Sequence, residues 1–286
     1  MTRRTRSFPH RRALALLMAL LLLAGVALAE EMDGGADWSF PVPLTDCVSS
    51  YAILVNNHNM LSEKDIPSPL VVIKGVKKAT SAEIKLEATA AEALYAMFAG
   101  AAAEGYTLYL KSGYRAYSTQ KTIYYNHLES TGGKDDGYVA IPGTSEHQTG
   151  LCADILNAEW ADTDRHPKMN GDFKNTKEAA WMKAHCAEYG FILRYPEDQE
   201  DETEIAFEPW HFRYVGTKVA SYIMEAGMTL ERFTEEWQEA YAAFEDAGGS
   251  LEAQLEYEYR LLNPIPESHI LEETDDMGDA EVTLDF

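Results

Sequence analysis

Two short segments hold the residues best suited to chemistry in this chain: Ser145-Glu146-His147-Gln148-Thr149-Gly150-Leu151-Cys152-Ala153-Asp154 and Glu208-Pro209-Trp210-His211. Two imidazoles, an aspartate and a further glutamate are the inventory of a catalytic zinc site, in which three protein donors leave a fourth position for water. His147, Asp154 and His211 are the candidate ligands, and an ion held by such a set lowers the pKa of water to about 7. Glu208 stands close to His211 in sequence. A carboxylate that does not ligate the ion can take a proton from the water and pass it to a departing amine, so Glu208 is the candidate general base and then acid. The combination predicts a metal-dependent hydrolase. Nitrogen-rich ligation favours Zn2+ over magnesium or calcium as its ion.

These residues need a frame to bring them together. If Trp210 to Val215 is extended, alternation puts Trp210, Phe212 and Tyr214 on one face and His211, Arg213 and Val215 on the other. The aromatics then fill the core while His211 faces the opening. His147 and Asp154 would face opposite ways on an uninterrupted strand, so the chain must bend between them, and Thr149-Gly150 supplies a residue that tolerates the bend. Tyr51 to Val55, Leu70 to Ile73, Thr107 to Lys111 and Phe191 to Tyr195 read as further strands. Helical spacing predicts one long helix from Ile84 to Ala103 and another from Ser118 to His127. Asn175 or Thr176 caps a third that stops at Gly190. Thr131 to Gly137 reads as a loop. The elements follow no strict βαβ rhythm. They predict an α+β fold: a single catalytic domain with a small antiparallel sheet, flanking helices and the zinc site on the sheet.

Five arginines precede an apolar run from Ala13 to Val26 that closes on Ala27-Leu28-Ala29, which reads as a secretory signal peptide over residues 1–29. Residues 30–46 then read as a linker, 47–247 as the catalytic domain and 248–286 as an acidic C-terminal extension. The expected mature protein is secreted or extracytoplasmic, with no stable membrane span once the signal is cleaved. Removing residues 1–29 takes away five arginines and no carboxylates, moving the formal charge from -23 to -28. So acidic a chain lacks the basic footprint of a nucleic-acid binder. Its charge is read as a solvated surface that resists aggregation. Cys47, Cys152 and Cys186 remain. An odd count leaves at least one thiol unpaired within the chain, and the sequence does not choose a pair. Cys152 shares the strand face of Asp154, yet it reads as a small buried hydrophobe more than as a ligand.

Four strings in order carry a resemblance: Ser112-Gly113-Tyr114-Arg115-Ala116-Tyr117 with Gln120; Pro142 to Gly150 continuing to Asp154; Tyr189 to Pro196; and Glu208 to Val215. They resemble the VanY-type zinc carboxypeptidases. The resemblance implies a D-alanyl-D-alanine carboxypeptidase that removes the last D-alanine from peptidoglycan stem peptides. It implies zinc on His147, Asp154 and His211, Glu208 as the catalytic base, and Arg115 receiving the substrate's terminal carboxylate. Gln120, Ser145 and Tyr195 match positions that line the substrate pocket. An exopeptidase must read a free carboxylate, and a guanidinium does so with two parallel charge-assisted hydrogen bonds that lysine cannot reproduce. Two other functions stay open: an L,D-carboxypeptidase acting on tetrapeptide stems, and a non-catalytic peptidoglycan-binding module on the same fold. An intact Glu208 and Arg115 speak against the module, because a binder has no use for a proton shuttle.

Overall fold

A computed structural model describes residues 38–135 and 139–263. The signal peptide read over 1–29, much of the linker and the acidic tail beyond residue 263 lie outside the described residues. The fold belongs to the unit that begins at Phe40. Its regular elements run α1 (Leu44–Cys47), β1 (Leu70–Val72), β2 (Lys85–Glu87), α2 (Ala88–Ala103), β3 (Tyr109–Ser112), α3 (Tyr117–Ser130), β4 (Cys152–Leu156), α4 (Lys177–His185), β5 (Phe191–Leu193), α5 (Glu200–Thr203), β6 (His211–Tyr214), α6 (Thr217–Ala226), α7 (Leu230–Asp246) and α8 (Leu251–Leu262). Tight 3-10 turns at Glu146–Thr149, Gly171–Asn175 and Cys186–Tyr189 join some of them.

Four strands form an antiparallel sheet in the order β3-β4-β6-β5, and β1 pairs with β2 in a separate antiparallel ribbon. The α+β expectation with a small antiparallel sheet is met. Register decides which side chains meet: Asp154 lies opposite His211, Cys152 opposite Arg213, and Ser112 beside Asp154. Because side chains alternate along a strand, Ala153, Ile155 and Phe212 face one way. They pack with Leu94 and Met97 of α2 and with Trp181 and Met182 of α4. Each such buried Leu, Phe or Met contributes about 1.5–3 kcal/mol relative to an exposed one. The opposite face carries Cys152, Asp154, His211 and Arg213. It is covered farther along by a second apolar cluster holding Ile192, Val215, Val219, Ile223, Leu230 and Phe233. The expected split of β6 into a core face and a polar face is what the sheet shows.

Several expected elements differ, each for a local reason. Tyr51 to Val55 is irregular backbone. The Arg213 guanidinium takes the carbonyls of Tyr51 and Ile53 at 3.0 and 2.7 Å, so they are not free for a strand ladder. The helix expected from Ile84 begins at Ala88, because Lys85–Glu87 pairs with β1 and the Glu87 carboxylate caps the helix by accepting from the amides of Thr89 and Ala90. The helix capped by Thr176 tightens into a 3-10 turn at Cys186 before Gly190 ends it. At the edges, Leu44 of the segment read as linker is fully buried in the second cluster. Leu251 and Leu255, from the segment read as an extension, pack against that same cluster. The Glu258 carboxylate accepts from the amides of Leu44 and Thr45, both at 2.8 Å. The folded body therefore starts before residue 47 and continues past residue 247. All three cysteines are free thiols buried in the interior. Among the described residues no helix is long and apolar enough to cross a membrane.

Candidate metal centre

His147 sits on the 3-10 turn that precedes β4, and Gly150 ends that turn in the left-handed region at φ 69°. An L side chain is strained there, and a Cβ at Gly150 would also come within 3.1 Å of the Glu87 amide. The expected bend thus lies at Gly150, and it turns His147 toward the face that carries Asp154. The His147 ring is fixed from behind: its Nδ1 lies 2.7 Å from the Gly113 carbonyl, which can only accept, so Nδ1 carries the proton and Nε2 presents its lone pair. Nε2 is 3.4 Å from Asp154 Oδ2. His211, opposite Asp154 on β6, places Nδ1 3.2 Å from Asp154 Oδ1 and 3.5 Å from Glu208 Oε2. Its Nε2 faces Glu146 Oε2 across 3.6 Å, which favours a proton on that nitrogen and leaves Nδ1 as the donor atom.

The three predicted ligand residues therefore converge. All are at least nine-tenths buried, and the two imidazole rings lie 5.1 Å apart. Asp154 Oδ1 is buried with no hydrogen-bond partner. A buried carboxylate oxygen left unpaired between two imidazoles costs free energy unless something positive occupies the space. A divalent ion fits that requirement and the donor set fits zinc. Burial alone would push the Asp154 carboxyl up, but His147, His211 and Arg115 outweigh it and hold the group at about 2. Glu208 behaves differently. Its side chain keeps 30% of its surface open, and enclosure of the rest pushes the carboxyl up to about 7, with Asp154 adding to the rise and His211 opposing it.

Arg115 enters the same opening from the loop after β3, and its amide is held by the His147 carbonyl at 2.9 Å. Its guanidinium donates to Gln120 Oε1 at 2.8 Å, and Gln120 in turn donates to the Ala140 carbonyl at 2.6 Å. Gln120 is buried with both ends of its amide engaged, so it anchors Arg115. Arg115 pairs with no carboxylate among the described residues, which leaves its remaining donors for an anion. Ser145 begins the His147 turn and is nearly buried. Tyr195 packs its ring 4.9 Å from that of His211, and the Arg194 guanidinium lies over the Tyr195 ring, 4.8 Å from its centroid.

Sequence reasoning missed the charges behind this opening. Glu146 Oε1 accepts from Arg194 Nε at 2.8 Å and from Arg213 Nη1 at 2.7 Å. Arg194 also forks onto Glu231 of α7 with bonds of 2.7 and 2.6 Å. Two acids and two guanidiniums, nearly all inaccessible, make a neutral cluster. The arginines hold the Glu146 carboxyl well below the usual range although burial opposes them. The cluster ties the turn bearing His147 to β5, β6 and α7. Cys152, read as a space-filling hydrophobe, also lies in this region: its Sγ and one nitrogen from each of His147 and His211 are all within 4.8 Å of one another.

A family model for VanY, the D-alanyl-D-alanine carboxypeptidases, matches residues 83–217, which include His147, Asp154, His211, Glu208, Arg115, Gln120, Ser145 and Tyr195. YodJ of Bacillus subtilis (strain 168), named provisionally as a carboxypeptidase, is 40% identical over 186 residues, covering 64% of this chain and 66% of that protein. The chain thus spans about two thirds of that relative's length. The solved structure of the LdcB LD-carboxypeptidase, described in terms of peptidoglycan recognition, is 40% identical with a TM-score of 0.58. It is matched over 64% of this chain and 85% of its own. A mutant of the D,D-pentapeptidase VanY from a VanB-type resistance cassette, solved with Zn(II), is 28% identical with a TM-score of 0.50. Here the match covers 64% of this chain and 98% of the other. With the matched strings falling on the turn, strands and loop that build the opening, the chain belongs to the VanY family of D-alanyl-D-alanine carboxypeptidases.

Proposed function

We propose that this protein is a zinc-dependent carboxypeptidase that releases the C-terminal D-alanine from D-alanyl-D-alanine ends of peptidoglycan stem peptides, on the outer side of the membrane after removal of residues 1–29 as a signal peptide. The reading rests on one observation, the meeting of His147, Asp154 and His211 around an unpaired buried carboxylate oxygen, with Glu208 beside them. An ion held by those three residues supplies a Lewis acid and lowers the pKa of water to about 7. Glu208, part-exposed and not needed as a ligand, takes the proton from the attacking water and returns it to the amine of the departing D-alanine. Arg115, braced by Gln120, receives the terminal carboxylate of the substrate, while Ser145 and Tyr195 flank the peptide.

Replacing Arg115 by lysine keeps the charge but removes the fork. For free-acid peptides, Arg115→Lys is expected to lower kcat/KM by about 10- to 100-fold, the worth of hydrogen bonds to a charged group. C-terminally amidated peptides should change little. Equal losses on both in steady-state assays would remove Arg115 from carboxylate recognition.

The 40% identity to LdcB against 28% to the D,D-pentapeptidase favours a second reading, L,D-cleavage of tetrapeptides. Mass spectrometry of purified penta- and tetrapeptide muropeptides incubated with the protein, with and without a chelator, separates the two. Chelator-sensitive loss of one alanine from pentapeptides supports the D,D reading and the same loss from tetrapeptides the L,D reading. No loss from either would leave a binding module.

A further inference from the structure

We infer that Glu146 is a positioning residue for the metal centre: its second carboxylate oxygen receives the Nε2 proton of His211 and so aims the Nδ1 of that ring at the ion. The inference rests on the proposed reading of His147, Asp154 and His211 as a three-ligand site, and it leaves the fourth position to water.

Two acids share the Arg194 guanidinium, and they use their oxygens differently. Glu231 engages both, with Oε2 2.7 Å from Arg194 Nη1 and Oε1 2.6 Å from Nη2. Glu146 takes both of its guanidinium bonds on Oε1, from Arg194 Nε at 2.8 Å and from Arg213 Nη1 at 2.7 Å. Charge balance alone would be met as well by a fork that used both oxygens. Instead Glu146 Oε2 is buried with no hydrogen-bond partner among the described residues. It faces His211 Nε2 across 3.6 Å, an atom that is likewise buried and without a partner among them. Each orphan carries a desolvation penalty that a bond between the two removes. The gap exceeds the about 2.7–3.2 Å of an N–H···O bond, and a small turn of the ring closes it.

A ligating imidazole holds its orientation through the hydrogen bond made by its other nitrogen. His147 has that support from the Gly113 carbonyl, 2.7 Å from its Nδ1. For His211 the counterpart is Glu146, with Asp154 on the Nδ1 side of the ring at 3.2 Å. Glu146 and His147 are neighbours on one 3-10 turn, so a single short segment supplies one ligand and aims another. The two guanidiniums, by holding Oε1, fix the direction in which Oε2 points.

Zinc affinity of the full chain, measured by competition with a chromophoric chelator, separates aiming from charge balance. Glu146→Gln and Glu231→Gln each remove one negative charge from the same cluster, and both should lower the urea midpoint. Only Glu146→Gln is expected to weaken zinc binding, by about 10- to 100-fold, because its amide turns a donor either on the Nε2 proton or on the guanidiniums. Glu231→Gln should hold zinc as tightly as the parent. Glu146→Asp keeps the charge for the arginines but draws the carboxylate back from the ring. It should also bind zinc more weakly, and it guards against a glutamine variant that fails to fold. In the zinc-loaded parent, long-range proton–nitrogen NMR spectra should place the His211 proton on Nε2. A proton on Nδ1, parental zinc affinity in a folded Glu146 variant, or equal weakening in Glu146→Gln and Glu231→Gln would overturn the inference while leaving the three-ligand site standing. An unaltered chain that binds no zinc would overturn both.

Discussion

Glu208→Ala is expected to bind zinc with unchanged stoichiometry yet turn over stem peptides at least about 100-fold more slowly, the usual worth of a positioned proton shuttle. Geometry separates the two properties. His211 Nδ1 is 3.2 Å from Asp154 and 3.5 Å from Glu208, so the glutamate borders the donor set while Asp154 lies between the imidazoles. Its carboxyl, pushed up to about 7 by enclosure, is poised to gain and lose a proton near neutral pH. Glu208→Gln keeps the shape and removes only the titration, and it should lose as much activity as the alanine variant. Metal analysis and single-substrate kinetics check both. A variant that has lost its zinc would make Glu208 a ligand, and a fully active glutamine variant would take proton transfer away from it.

Arg194→Met should destabilise the fold by about 3–5 kcal/mol, the cost of removing one member of a buried ion pair and stranding its partners. Arg194 serves two carboxylates at once. Without it Glu146 keeps Arg213, whereas among the described residues Glu231 keeps only the Asn56 side-chain amide, at 3.2 Å. The cluster then carries one uncompensated negative charge in the interior. Adding Glu231→Met restores neutrality and is expected to recover more than half of the loss, which urea titrations of the single and double variants measure directly. A single variant within about 0.5 kcal/mol of the parent would mean that water reaches the cluster. The Glu146 carboxyl, depressed by the arginines, contributes stability that is present above the pKa of an unfolded glutamate and lost only as pH falls toward its own, much lower, value.

How far the residues announced these arrangements depends on the kind of pattern each one makes. Alternation in Trp210 to Val215 separated core from site because aromatic and polar residues take turns, and Gly150 marked the bend because few other residues accept its backbone. The Glu146, Arg194, Arg213 and Glu231 cluster had no such signature. A charged residue inside an apolar string reads as solvent-facing, and only pairing across distant segments makes burial affordable. Tyr51 to Val55 looked like a strand because its side chains suit one, but its carbonyls are claimed by a guanidinium far along the chain. Glu87 stops a strand and caps a helix within one residue, a boundary that periodicity does not resolve. Cys152 was legible by parity with Asp154, which places both on the face that carries His211.

The contact between Glu258 and the first amides of α1 bears on how the molecule tolerates trimming. A nick after Gly248 would spare every residue of the metal centre, yet it would unlatch Leu44 from its carboxylate and strip Leu251 and Leu255 from the cluster beneath. The two ends of the folded body thus share one clasp, built on a glutamate that stands apart from the metal centre.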